Sequence, residues 1–155
     1  MKKTSKKLLL IVVPLFIIPA ITIMYRYYQE RHFHCYMHHH IHQGVLNIDA
    51  IIQFYFNGNQ GITTIEGRLN SDSDGSKTIN KEMLFNFTNT DSVYIMVAKK
   101  SFTQSYDEVS DETLQKILPP FFFQEGRKAI YRFSRQNNGD YIITNGRTPI
   151  GYCQT

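Results

Sequence analysis

The chain has 155 residues, of which 17 are basic and 13 acidic, with 42% hydrophobic residues, two cysteines and no tryptophan. Four of the 17 cations, Lys2, Lys3, Lys6 and Lys7, precede the first apolar segment, so the rest of the chain carries 13 basic against 13 acidic residues and is neutral. That balance excludes the clustered positive surface on which nucleic-acid binding depends.

Leu8 to Met24 is an uncharged apolar run of 17 residues directly behind the lysines, with Thr22 its one polar side chain. As a helix it spans roughly 25 Å, and Tyr25, Tyr27 and Tyr28 extend it into a headgroup layer, where a ring buries its body and wets its hydroxyl. Residues 8–28 are therefore expected to be a transmembrane anchor in the lipid bilayer. Residues 1–7 form a cytoplasmic tail, and residues 29–155 an extracytoplasmic domain, oriented by the positive-inside rule. A cleaved signal peptide is the competing reading, favoured by Pro14 and Pro19. It is opposed by Ile18, which stands at −3 from Ala20 where a small residue is needed. Cys35 follows Arg31-His32-Phe33-His34 and is not a lipoprotein site.

Strand signals dominate the remainder of the chain. Phe33 to His42 reads as a first strand. Ile48, Ala50, Ile52, Phe54 and Phe56 alternate with Asn47, Asp49, Gln53 and Tyr55, broken by Ile51, and Asn57-Gly58 supplies a turn. Gly61 to Leu69 forms the second arm of that hairpin, and Asn70 to Ser76 is a polar loop. Ile79, Met83, Phe85 and Phe87 alternate with polar residues, and a strand from Val93 reaches about Ser105. The spacing predicts one helix, Asp111 to Leu118, capped by Ser110 or Asp111, with Leu114, Ile117 and Leu118 inward and Pro119-Pro120 as its stop. Ala129, Tyr131 and Phe133 alternate again, and Asn138-Gly139 turns the chain back into Tyr141 to Thr144. About seven strands at short spacing with one short helix predict an antiparallel barrel or strongly curved sheet, with room for a core and one small cavity.

Cys35 opens this domain and Cys153 nearly closes it. An even pair in an oxidising compartment predicts a disulfide, two buried free thiols being the alternative. All six histidines, His32, His34, His38, His39, His40 and His42, lie within 11 residues. On an extended strand the even-numbered ones share a face. His34, His38, His40 and His42 are the candidate ligands for Zn²⁺, Ni²⁺ or Cu²⁺, or a proton sensor near the histidine range. Against this, no distant histidine completes a site, Cys35 is committed elsewhere, and no acidic residue but Glu30 lies close in sequence to orient a ring. The plain alternative is a solvated strand with adventitious metal binding and no cofactor.

Phe121, Phe122 and Phe123 follow two prolines, so periodicity cannot turn all three toward one core. They are candidate partner-binding residues at the surface or a barrel mouth, with a plug over the open end of the barrel as the alternative. Arg127 and Lys128 beside them are either receivers for an anionic ligand head or solvated turn residues. No catalytic motif is present, and Asp72-Ser73-Asp74-Gly75 lacks the closing Glu of a calcium loop, with Met83 at that place. The chain is not expected to be an enzyme.

The lysine-flanked anchor, the early Cys, the segment Asp111-Glu112-Thr113-Leu114 through Leu118-Pro119-Pro120-Phe121-Phe122-Phe123, the basic turn Glu125-Gly126-Arg127-Lys128 and the ending Gly146-Arg147-Thr148-Pro149-Ile150-Gly151-Tyr152-Cys153 together resemble the FidL-like inner-membrane proteins of enteric bacteria. That resemblance implies a bacterial inner-membrane location with a periplasmic domain. It also implies an architecture similar to the ToxS-like partners of single-pass, ToxR-like transcription regulators. Some such pairs share a lipocalin-like barrel that holds a small amphipathic ligand. The expected function is thus a membrane-anchored accessory protein that binds and stabilises a membrane-bound transcription regulator. A stand-alone ligand, metal or pH sensor using the His32–His42 cluster is the alternative.

Overall fold

The computed structural model describes residues 2–44, 46–71 and 75–155, with side chains from residue 15 onward, residue 43 excepted. The chain begins as one α-helix, α1 (Lys2–Gln29), and continues as eight strands: β1 (His32–Gln43), β2 (Leu46–Asn57), β3 (Gln60–Ser71), β4 (Gly75–Thr90), β5 (Val93–Thr103), β6 (Lys128–Arg135), β7 (Tyr141–Asn145) and β8 (Thr148–Cys153). A short helix, α2 (Asp111–Leu114), and a 3₁₀ turn at Pro120–Phe122 lie between β5 and β6.

The strands form one antiparallel sheet in chain order, each hydrogen-bonded to the next. Period-2 patterning drives this arrangement: Ile48, Ala50, Ile52, Phe54 and Phe56 of β2 are all buried, as are Met83, Phe85 and Phe87 of β4. The sheet closes on itself. The Tyr36 N–H donates to the Gln154 carbonyl and the Gln154 N–H to the Tyr36 carbonyl, both at 2.8 Å. A Cβ on Gly67 would stand 2.3 Å from the Asp49 carbonyl oxygen and 2.5 Å from the Ala50 Cα, so only glycine fits.

Aromatic rings fill the interior. Phe33 stacks on Phe56 at 4.4 Å and on Tyr141 at 4.5 Å, and Phe133 stands 5.1–5.4 Å from Phe54, Phe56 and Tyr94. Edge-to-face packing of this kind contributes beyond the area it buries. The rings occupy the interior in which the strand count left room for one small cavity.

Two expectations are corrected here. The sheet has eight strands, not about seven: the eighth is the terminal segment Thr148–Cys153, to which the sequence pattern assigns no strand. Pro149 is tolerated because β8 is laddered on β7 alone, which leaves its missing N–H without consequence. The α-helix ends at Leu114 rather than Leu118, and the chain continues as a helical turn with Leu118 N–H bonded to the Leu114 carbonyl at 2.7 Å. Ser110 supplies the cap, and Leu114 and Leu118 point inward as expected.

Among the described residues no helix is long and apolar enough to cross a membrane; residues 8–14 of the expected anchor lie outside those with described side chains. The part of α1 that is described carries Leu15, Phe16, Ile18, Ile21, Ile23 and Met24, all exposed. Residues 72–74 of the expected polar loop also lie outside the described residues.

Candidate functional site

The seam between β1 and β8 is the least conventional part of the barrel. Tyr36 and Gln154 form the only bridge between these strands among the described residues. Two inner contacts reinforce it. Cys35 and Cys153 form the expected disulfide, with Cα atoms 5.3 Å apart, and Gly151 leaves the space that Met37 Sδ fills; an added Cβ would lie 2.5 Å from that sulfur. Asp140 secures the end of β8, accepting from Tyr152 Oη at 2.6 Å and from the Thr155 N–H at 3.0 Å. The Tyr152 hydroxyl first, then the Thr155 amide, holds the Asp140 carboxyl below its usual range.

Beyond the bridge, toward Gln43, no further hydrogen-bonded pairing joins the two strands among the described residues. Backbone groups of alternate residues point the same way in an antiparallel ladder, so those of His38, His40 and His42 face the gap as Tyr36 does. Among the described residues no strand pairs with this edge. The outer face beside it is apolar. His34, Tyr55, Ile62 and Leu84 are cross-strand neighbours in one row over β1 to β4, with Tyr36 in the adjacent row. Tyr55 is 52% and Tyr36 38% exposed, and they wall a shallow groove of about 340 Å³ shared with His34, Gln53, Ile62 and Thr64. The Thr64 hydroxyl is buried there with no hydrogen-bond partner.

The histidines fall as the alternation predicts, with His34, His38, His40 and His42 on the exposed face of β1. They do not converge. Alternate residues on a strand are about 7 Å apart, and across the ladder stand Tyr55, Ile51, Asp49 and Asn47, none of them an imidazole. Among the described residues no group of three or more His, Cys, Asp or Glu is placed to hold a metal ion. The ladder does supply an acid that sequence proximity hid: Asp49 Oδ1 lies 3.2 Å from His40 Nδ1. His42 Nδ1 contacts Asn47 Oδ1. His39 turns inward, where burial first and His40 second hold its imidazole below the ordinary range and favour the neutral form.

Phe121, Phe122 and Phe123 are all buried, at 1%, 4% and 3% exposure. Phe121 packs 5.7 Å from Phe85 and Phe122 6.2 Å from Phe54. Of the two readings of these rings, presentation at the surface and a plug over the barrel end, their burial matches the plug. The 3₁₀ turn after Pro119 breaks the strand period and lets consecutive rings enter the core from a loop end-on. The segment plugs the end of the barrel away from α1. Its companion loop closes the free edge of β4: the Glu108 N–H donates to the Thr78 carbonyl at 2.9 Å and the Asn80 N–H to Asp107 Oδ1 at 2.9 Å.

Beneath that loop Lys81, 5% exposed, is bonded to the buried Asp107 at 2.7 Å and to the half-exposed Asp111 at 3.0 Å. Burial alone would lower the Lys81 pKa, but the hydrogen bonds and charges of the two carboxylates outweigh it and hold it raised. Sequence reading missed this pair because Lys81 breaks the apolar alternation of β4 and its partner lies 26 residues on. Tyr36, Tyr55 and Ile62 were also missed as surface-forming residues; apolar side chains at outward positions of β1 to β3 were their signal.

A family model, YqeJ C-terminal domain, matches residues 31–153, from the turn that follows α1 to the second cysteine. The comparison gives no support to the FidL-like resemblance. No curated protein and no solved structure matches the chain. With 123 of its 155 residues matched, the chain belongs to the YqeJ C-terminal domain family.

Proposed function

We propose that this chain is a membrane-anchored, extracytoplasmic accessory protein that docks a partner protein on the outer face of β1 to β3. The observation that carries this reading is the juxtaposition of an unpaired strand edge, His38 to His42, with the apolar groove of Tyr36, Tyr55 and Ile62. A partner segment laid there would gain backbone hydrogen bonds from the edge and specificity from the rings. The filled interior favours this use of the outer surface over storage of a ligand inside the barrel.

Anchoring is supported by the exposed apolar residues 15–24 of α1 and by the disulfide, which suits an oxidising compartment. The partner we infer is a single-pass, membrane-bound transcription regulator, a class that comes from the FidL-like and ToxS-like resemblance alone. The inner membrane, with the domain periplasmic, is the location that goes with it. The stand-alone metal sensor would need a ligand set that the outward row of β1 does not assemble by itself.

The test is photo-cross-linking in native membranes from a reactive residue placed at Tyr55, with Ile130 on the opposite face as control, followed by mass spectrometry. Capture of a single-pass regulator from Tyr55 and not from Ile130 is expected. Identical products from both positions, or none from Tyr55, would overturn the docking surface.

A further inference from the structure

The membrane-proximal mouth of the barrel contains a second feature that partner docking does not use. Helix α1 does not lead into the barrel through a loose linker. Tyr94 Oη donates to the Glu30 carbonyl at 2.6 Å, Asn89 Nδ2 to Glu30 Oε2 at 3.2 Å, and the Gly58 N–H to the Arg31 carbonyl at 3.0 Å. The end of the helix is thereby held at a fixed height over the mouth.

A cavity of about 290 Å³ lies between the two, edged by Arg26, Gln29, Glu30, Ser92 and Arg135. Phe133, Tyr141 and Tyr94 form its apolar floor. Arg26 has no side-chain partner among the described residues. Arg135 donates one N–H to Gln29 Oε1 at 2.8 Å, which leaves most of its five donors uncommitted. The one carboxylate, Glu30, is turned to Asn89, so the rim carries a net charge of +1 and an excess of free guanidinium donors.

Height decides what this charge meets. Arg26 is two residues past Met24, the last residue of the apolar run, a rise of about 3 Å along the helix. If α1 is inserted in the bilayer, and this inference rests on that reading, the cavity opens at the level of the lipid headgroups. Tyr25, Tyr27 and Tyr28, all exposed, ring the helix at the same level. Arginine is the side chain best matched to a phosphodiester, through paired N–H donors in a rigid fork.

We propose that the cavity between α1 and the barrel mouth holds the phosphodiester headgroup of a phospholipid from the leaflet beneath the domain, with Arg26 and Arg135 as its charged contacts. The lipid ties the height and tilt of the barrel to the bilayer, and anionic lipids with a single phosphodiester are preferred by the +1 rim.

The test uses the full chain in nanodiscs of phosphatidylcholine with phosphatidylglycerol, released into the gas phase for native mass spectrometry. The wild type should retain phosphatidylglycerol. R26Q/R135Q should retain it about tenfold less, the loss expected for removing charge-assisted hydrogen bonds. R127Q/R147Q removes the same charge away from the mouth and should behave as wild type. R26Q alone, which removes no internal contact, should show a partial loss and guards against misfolding of the double variant. Equal retention by R26Q/R135Q and R127Q/R147Q would overturn the inference while leaving the anchor intact. A thermal shift from inorganic phosphate alone equal to that from short-chain phosphatidylglycerol would overturn the lipid assignment. Extraction of the wild type from membranes by alkaline carbonate would instead remove the anchor on which both proposals stand.

Discussion

Removing the disulfide is the perturbation whose magnitude is set most directly by the structure. Cys35 and Cys153 are 118 residues apart in sequence, and they sit beside the single bridge that joins β8 to β1. Opening that loop releases unfolded-state entropy worth about 4.9 kcal/mol at 25 °C, taking 2.1 cal/mol/K plus 1.5R ln n with n equal to the loop length. Domains of this size are stable by roughly 5–15 kcal/mol, so the bridge accounts for a third or more of the total. With an unfolding entropy of about 2.1 cal/mol/K per residue over the ordered domain, C35S/C153S should melt roughly 15–20 °C below the wild type. The assay is thermal unfolding of the full chain in detergent, followed by far-ultraviolet circular dichroism, with the reduced wild type as a second route to the same state. A drop of only a few degrees in both would refute the reasoning. It would show that the Tyr36–Gln154 bridge and the Met37–Gly151 contact hold the seam without covalent help, or that the unfolded chain retains enough structure to make the link redundant.

Two glycines of the barrel should respond differently to alanine. G67A pushes a Cβ into the backbone of Asp49 and Ala50 and should cost about 3 kcal/mol or more, whereas G151A meets only the flexible Met37 side chain and should cost about 1 kcal/mol, both read by urea unfolding. D107N strands a buried ammonium and should cost about 3 kcal/mol, against less than about 1 kcal/mol for D111N, whose carboxylate is half exposed. Because the Lys81 pKa is raised, its contribution is complete at neutral pH and is lost as pH climbs through and beyond the ordinary lysine range, so wild type and K81M should converge in stability under strong alkali. Asp140 behaves oppositely: its lowered pKa makes the tie to Tyr152 and Thr155 present above the ordinary carboxylate range and lost as pH falls through it. Melting temperature should fall with acid in the wild type and fall less in D140N.

Sequence alone determined the strands, their inward faces and the cysteine pair. Each rests on a local signal: a period of two from Ile48 to Phe56 and from Met83 to Phe87, turn residues at Asn57-Gly58 and Asn138-Gly139, and an even cysteine count with one cysteine near each end of the β domain. The strand hidden at Thr148 to Cys153 shows the boundary of that logic, since Pro149 argues against a strand unless the strand is known to be an edge. Only the tertiary structure decided the fate of Phe121 to Phe123, because three adjacent rings are buried or exposed according to where their loop lands, and that is set by the size of the opening it covers. The same holds for Asp49 beside His40, Lys81 beside Asp107, and Arg26 beside Arg135, pairs separated by 9, 26 and 109 positions. Local alternation fixes which way a side chain points; only the register and closure of the barrel fix what it meets.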